Sequence, residues 1–379
     1  MNSVLIIDDD RSVRSLLRSI LQKKGFKTRE CADGTSGLEE TVGYRPDIVL
    51  LDLLLPDMHG LEVLDKLQKA PVTRAIPVIV LTGSTDQENR LSALRSGAVD
   101  YIEKPFVAEE VTLRVTTQLR IHDLIKSLQT AVQGLEDDLK AAGTIQRALV
   151  PSEVPAGIED EIRWIYLPSS SVGGDIFDII PLNDHSYLVY VLDVSGHGVN
   201  AALISVMVHR FIEDFRSSRP GDREPFSLKE FMRSLDRNFQ FERFETYMTA
   251  TCVIADLQKG EIEVSNAGNP FPLLLERKYT QRLDRDNNGA IGFGMVKGST
   301  SVHKISEETR LFLFTDGIVD VRTCEGTRLG EKTIADLAES TRHMELDDAF
   351  SKYQALLGES LPGAQTSFED DVTFVAIQF

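Results

Sequence analysis

The chain has 379 residues, 42% of them hydrophobic, enough for two globular domains and a connector, and no run of about 18 apolar residues suggests a membrane span. Its net charge of −18 is uneven, with 22 basic and 37 acidic side chains in residues 151–379. A C-terminal part this acidic is unsuited to nucleic acid and suited to divalent cations.

The first residues, MNSVLIIDDD, meet three acids almost at once and do not read as a signal peptide. Cys31, Cys252 and Cys324 are isolated, which fits a reducing cytoplasm and leaves no thiolate metal site. Apolar runs at 3–7, 48–52, 78–82 and 99–102 alternate with helical patterns at 11–23, 60–69 and 86–96. That rhythm predicts a parallel sheet covered by helices on both faces, with chemistry at the carboxyl ends of its strands. Asp8 and Asp9 end the first run, Asp52 and Thr82 end later ones, and Lys104 follows the last. Three carboxylates brought together must protonate or share a cation, and an all-oxygen set favours Mg²⁺. Asp52 then serves as an anionic nucleophile that forms an acyl phosphate. Lys104 balances the phosphate charge, Thr82 donates to a phosphate oxygen, and Gly83 leaves the approach open.

The segments LIIDDD, VLLDLLLPDMHG, VIVLTGS and DYIEKPF resemble the receiver domain of bacterial two-component response regulators. The resemblance spans residues 1–118 and implies a five-stranded parallel, flavodoxin-like α/β domain. It also implies Asp52 as phosphoacceptor and Mg²⁺ held by Asp8, Asp9, Asp52 and the Leu54 carbonyl. Thr82 and Tyr101 become the switch pair, Lys104 the phosphate sensor followed by a cis-prone Pro105, and a histidine kinase or phosphotransfer protein the phosphate donor.

From 119 to 150 the pattern is that of one helix. Ile121, Ile125, Leu128, Val132, Leu135, Leu139, Ala142, Gln146 and Leu149 alternate spacings of four and three, the seam of a coiled coil. A second copy of the chain is the simplest partner, so a homodimer through 121–149 is expected. Gly134 and Gly143 lie off the seam, each costing about 1 kcal/mol relative to Ala, so the helix reads as marginal and open to bias from a neighbouring domain.

After the Pro-rich break VPSEVP the chain turns to strands, with helical periodicity at 198–216, 227–240, 331–340 and 346–358. This predicts an α+β fold over 151–379 with two sheets as inner layers and flanking helices. Acids again sit at strand ends: Asp175 in VGGD, Asp193 in DVSGHG, Asp316 in FTDG, and Asp370 and Asp371 in EDDVT. Adjoining glycines such as Gly174 and Gly196 let carbonyls and water approach a cation. Four carboxylates from distant segments can hold two Mg²⁺ or Mn²⁺ ions, between which water is acidified and aimed at a phosphoryl group.

This constellation, with the signature A-x-x-I-Q-x-x-L-x-P from Ala142 to Pro151, resembles the PPM-type serine/threonine phosphatases of the SpoIIE/RsbU-like class. The resemblance implies that Asp175 and Asp193 touch both metals with the Val194 carbonyl, and that Asp316 and Asp370 complete one shell. Asp178, Asp371, Gly174 and Gly196 then support the site. The class commonly reads NAGHP where this chain has NAGNP, with Asn269 in place of histidine. His197 reads as a turn residue that packs or hydrogen-bonds, and no phosphate-clamping arginine stands near the motifs. In the class, substrates are phosphorylated anti-sigma-factor antagonists. The alternative is a non-catalytic adaptor similar to RssB, binding a sigma factor, which has no need to keep the four carboxylates. A DNA-binding output fails on charge and on the lack of a recognition helix.

Overall fold

A computed structural model describes residues 2–83, 87–151, 154, 158, 161–217, 226–283, 287–322, 327–360 and 368–379. They form two compact units divided between Gly134 and Leu135. Among the described residues no helix is long and apolar enough to cross a membrane. Cys31 and Cys252 are buried free thiols, and Cys324 lies outside the described residues.

In the first unit strands and helices alternate as β1 (Ser3–Ile7), α1 (Arg11–Lys23), β2 (Lys27–Cys31), α2 (Gly34–Tyr44), β3 (Ile48–Asp52), α3 (Gly60–Lys69), β4 (Val78–Gly83), α4 (Gln87–Arg95) and β5 (Asp100–Lys104). The strands form one parallel sheet ordered β2-β1-β3-β4-β5. Helices cover both faces, which is why all five residues of β3 are apolar or buried acid. Asp10 caps α1 by accepting the Ser12 N–H at 2.7 Å. The helix α5 (Ala108–Arg147) begins by burying Val111, Val115 and Leu119, spaced by four, against the sheet. Further on, Ile121, Ile125, Leu128, Val132 and Leu135 line up as an exposed apolar stripe.

The second unit starts with β6 (Ile162–Leu167), β7 (Ile176–Asn183), β8 (Ser186–Val194), α6 (Val199–Ser217), α7 (Leu228–Asn238) and α8 (Phe241–Phe244). It continues with β9 (Met248–Asp256), β10 (Glu261–Ala267), β11 (Leu273–Leu275), β12 (Thr280–Arg282), β13 (Ser301–Lys304), β14 (Arg310–Phe314), α9 (Asp316–Asp320), α10 (Gly330–Thr341), α11 (Leu346–Ser360) and β15 (Val372–Gln378). Two antiparallel sheets result, ordered β13-β10-β9-β8-β7 and β12-β11-β14-β15-β6. The period of two sends Val189 and Val191 of β8 into a core shared with Leu311, Leu313 and Val375. Tyr190 and Leu192 face the other way, against Val208 of α6 and Phe231 of α7. On the far side Phe312 and Phe374 pack with Tyr353 of α11. The layers are therefore helix, sheet, sheet, helix, as the strand pattern predicts.

The end of α5 departs from the sequence reading. Gly143 is no weak point: it is buried, and a Cβ there would overlap the Ser171 carbonyl oxygen. Only glycine lets the helix approach this loop so closely. Gln146 does not continue the exposed stripe; it is buried in the second unit.

Candidate functional site

Two acidic centres emerge, one in each unit. In the first, β1, β3 and β5 deliver their carboxyl ends to one place because the strands are parallel. The Lys104 ammonium lies 2.7 Å from an Asp8 oxygen and 2.9 Å from an Asp52 oxygen. Ligand oxygens of Asp8, Asp9 and Asp52 all lie within 4.8 Å of one another, the one such trio among the described residues. Asp8 and Asp52 are buried and Asp9 is exposed. Burial pushes the Asp52 carboxyl up while the hydrogen bond and charge of Lys104 oppose it. An all-oxygen trio with a solvent-facing member fits Mg²⁺, which keeps several waters.

Around this trio, Thr82 is buried with its hydroxyl unpartnered. Tyr101 is half-buried, its ring 5.3 Å from the Arg90 guanidinium and 5.5 Å from that of Arg114. Leu54 is exposed and bridges to His59, and a Cβ on the following Gly60 would overlap the Asp52 carbonyl oxygen. The Lys104–Pro105 bond is cis.

The second centre gathers acids from four distant segments. Asp175 precedes β7, Asp193 lies on β8, Asp316 opens α9, and Asp370 and Asp371 precede β15. Asp175 is buried, and its Oδ2 accepts hydrogen bonds from the Thr315 hydroxyl at 2.8 Å and the Thr373 hydroxyl at 2.6 Å. Asp371 is also buried. Its Oδ1 accepts from the Ser169 N–H and hydroxyl at 2.7 and 2.9 Å, and its Oδ2 from the Gly174 N–H at 2.5 Å. Asp316 and Asp370 face solvent.

The electrostatics of this group are unfavourable without a cation. Burial and the charges of Asp316, Asp370 and Asp371 push Asp193 up to about 8. Burial, then Asp193 and Asp371, raise Asp175 well above the usual range against the pull of its two threonines. Asp316 and Asp370 are exposed as residues, but the protein crowded around their carboxyl groups removes enough water to raise each of them, and neighbouring acids add to the shift. A set of carboxylates that resists ionisation together, built from oxygen alone, fits hard divalent ions. Backbone packing points the same way. A Cβ on Gly174 would intrude on the Val194 carbonyl oxygen, and one on Gly317 would overlap the Asp371 carbonyl.

Other expected residues fall in different places. Asp178 faces α6, with its Oδ2 3.8 Å from His209 Nδ1, and the Tyr190 hydroxyl lies 2.9 Å from the same nitrogen. Gly196 takes φ 102° in the turn after Val194. His197 is exposed in the turn that follows Asp193. Asn269 is buried, donating to Thr251 Oγ1 at 3.0 Å and the Phe314 carbonyl at 2.9 Å, and so ties β9 to β14 just before Asp316. Nothing in the sequence pattern singles out Thr315 or Ser169 as partners of these acids. Thr373 alone had a signal, the hydroxyl residue in D-D-V-T.

The comparisons with known proteins agree with this division. A family model described as stage II sporulation protein E (SpoIIE) matches residues 183–379, and one described as response regulator receiver domain matches residues 4–116. The DNA-binding response regulator MtrA of Mycolicibacterium paratuberculosis is 38% identical over 138 residues, 36% of this chain and 60% of that protein. The transcriptional regulatory protein SrrA of Staphylococcus aureus is 40% identical over 119 residues, 31% of this chain and 48% of that protein. The chain thus spans about half to three-fifths of the length of these relatives. The SiaA-PP2C domain of Pseudomonas aeruginosa superposes with a TM-score of 0.57 at 24% identity, covering 66% of this chain and 98% of that one, a likeness of fold.

Proposed function

The chain belongs to the stage II sporulation protein E (SpoIIE) family and carries a receiver domain ahead of the family segment, and from this we propose a response regulator whose output is a metal-dependent phosphoserine/phosphothreonine protein phosphatase. The observation that carries the reading is the convergence of Asp175, Asp193, Asp316, Asp370 and Asp371, with Asp193 pushed to about 8. Two Mn²⁺ or Mg²⁺ ions held by Asp175, Asp193, Asp316, Asp370 and the Val194 carbonyl would supply an acidified water and offset the charge of a phosphorylated substrate.

The protein's own side chains prepare that place. Thr315 and Thr373 both hold the same oxygen of Asp175, so the other, on the side of Asp193, would act as the ligand. Asp371 pins the Gly173–Gly174 backbone, which sets where Asp175 points. In the receiver, Asp8, Asp9 and the Leu54 carbonyl would hold Mg²⁺, Asp52 would accept the phosphoryl group from a histidine kinase or phosphotransfer protein, and Lys104 would move its charge from the carboxylates to the phosphate. Thr82, its hydroxyl free of partners, would then find one, and Tyr101 would follow.

Two further elements belong to the reading. The exposed stripe from Ile121 to Leu135 supports a homodimer through that part of 121–149, since an unpartnered heptad seam buries its apolar face by pairing, whereas Gln146 and Leu149 at its end pack within the second unit. The substrate is a phosphorylated anti-sigma-factor antagonist. The deciding experiment is hydrolysis of a phosphoserine peptide with Mn²⁺, with and without beryllofluoride, beside an Asp193→Asn control. Metal-dependent turnover that the control loses and beryllofluoride alters is the expected result. No turnover by a folded protein would instead favour an adaptor that binds a sigma factor.

A further inference from the structure

Beside the second acidic centre lies a surface that the chemistry leaves unused. The Ser195 N–H, two residues beyond Asp193, donates to the Tyr247 carbonyl at 2.9 Å, and the Thr246 hydroxyl donates to the Ser195 carbonyl at 2.8 Å. The Tyr247 ring lies 5.6 Å from that of Phe293, which stacks on Phe241 at 5.5 Å. Tyr247, Phe241, Phe293 and Met295 are 38%, 40%, 44% and 61% exposed. Four large apolar side chains in one patch at the lip of a charged site are unusual for a surface that meets only water.

The loop that carries Phe293 and Met295 is tied down by a buried carboxyl group. Asp236 of α7 is 3% exposed, and its carboxylate accepts the Gly292, Gly294 and Val296 N–H groups at 2.7, 3.1 and 2.9 Å. Those three bonds fold 292–296 into a tight loop that turns Phe293 and Met295 outward. A loop whose backbone is fixed in this way has less entropy to lose when a partner seats on it.

The rim has the opposite sign to the rest of the domain. Residues 229–243 and 291–298 hold five Lys or Arg and three Asp or Glu, and one of those acids is the buried Asp236. The Arg233 guanidinium donates to the Lys297 carbonyl at 2.8 Å, joining the exposed face of α7 to the loop. In a domain with 22 basic and 37 acidic side chains, this is where an acidic partner is attracted rather than repelled.

We propose that the Phe241–Tyr247–Phe293–Met295 patch, with its Arg233 and Lys297 rim, is the docking face for an acidic phosphoprotein whose phosphoserine enters the adjoining metal centre. The proposal rests on the phosphatase reading above and adds how the substrate protein is gripped. Phosphate chemistry alone does not distinguish one phosphoserine from another, so contacts at this face set which proteins are turned over.

The test uses the full chain with Mn²⁺, β-casein as an acidic phosphoserine protein, and p-nitrophenyl phosphate as a substrate too small to touch the face. The ratio of kcat/KM on β-casein to kcat/KM on p-nitrophenyl phosphate should fall about tenfold in Phe293→Ser/Met295→Ser. It should fall similarly in Arg233→Glu/Lys297→Glu, with the second loss shrinking at high salt. An unchanged ratio in both overturns the proposal. A separate arm measures β-casein binding to the Asp193→Asn protein by calorimetry, with and without the face substitutions. There the Kd should rise about tenfold, and either an equal Kd or no binding overturns the docking face. Failure of the phosphatase reading shows itself differently, as no hydrolysis of p-nitrophenyl phosphate by the unsubstituted protein.

Discussion

Gln146 and Gly173 exchange two hydrogen bonds: the Gln146 amide donates to the Gly173 carbonyl at 2.6 Å, and the Gly173 N–H returns to the Gln146 amide oxygen at 3.0 Å. The same amide nitrogen reaches the Ser205 hydroxyl of α6 at 2.9 Å. The neighbouring Gly174 bonds Asp371, and Asp175 comes next in the chain. One side chain in the last turn of α5 therefore steadies the loop that presents Asp175 and donates to Asp371. Gln146→Ala leaves a buried donor and acceptor without partners, a loss of about 1–3 kcal/mol. The expected result is a lower melting temperature for the second unit and a higher Mn²⁺ concentration for half-maximal activity. A Mn²⁺ titration that superimposes on the unsubstituted protein would refute this.

Asp370 and Asp371 are neighbours with different work. Asp371 is buried and collects several donors, whereas Asp370 faces solvent among other acids. Asp371→Ala should destabilise the fold by about 3 kcal/mol, since buried N–H groups lose their acceptor. Asp370→Ala should hold or raise the stability of the metal-free protein, because like charges are thinned, while hydrolysis falls at least tenfold. Denaturant unfolding of both variants in chelator separates the two roles, and equal losses would contradict the assignment.

The metal-free protein should be least stable where most proteins are comfortable. Asp193 keeps its proton to about 8 when folded, whereas an unfolded aspartate releases it near 4. Between those values the folded state binds more protons, so the stabilisation is complete below about pH 4 and drains away as pH rises toward 8. Asp175 is shifted in the same direction. Scanning calorimetry in chelator should show the melting temperature of the second unit dropping by on the order of 5 °C between pH 5 and pH 8. Saturating Mn²⁺ should reverse the slope, since a cation binds the ionised carboxylates. A chelated protein that gains stability across this interval would rule the argument out.

The unpartnered Thr82 hydroxyl gives the receiver a test of its own. Thr82→Val keeps the shape and removes an unsatisfied polar atom, so resting stability should stay within about 0.5 kcal/mol or rise. The stabilisation gained on adding Mg²⁺ and beryllofluoride should shrink. Thermal shifts with and without the mimic measure both, and a large resting loss would mean that the hydroxyl already has a partner.

Leu135 stands 65% exposed on α5. If the stripe pairs with a second copy, Leu135→Asp should yield a monomer in sedimentation and uncouple turnover from Asp52 phosphorylation. Regulation that persists in a proven monomer would remove the dimer from the mechanism.

The sequence was most legible where chemistry and burial coincide. VLLD and VLDVS announce strands because both faces are covered, and they end in acids that have no reason to follow an apolar run unless a site lies there. β2 was absent from the apolar runs because KTREC lies at a sheet edge with a mostly polar pattern. Two short strands, β12 and β13, were hidden for the same reason, each at the rim of its sheet. What pattern reading missed was mutual support between remote segments. Thr315 and Asp175 are 140 residues apart, and neither hydroxyl residue nor acid signals the other. Gln146 shows the limit most clearly. Its heptad position pointed to a coil partner, but its amide is spent on a glycine 27 residues later.

Gly143, Gly173, Gly174 and Gly317 share a property that carboxylates lack: an added methyl group would collide with Ser171, Asp371, the Val194 carbonyl and the Asp371 carbonyl respectively. The second centre is thus defined as much by omitted atoms as by charged ones. Should a lineage of such chains drift away from hydrolysis, its acids can persist for solubility or fold long after the need for them has gone. Alanine or serine at these four positions would record the loss earlier, and an inventory of aspartates would overlook it.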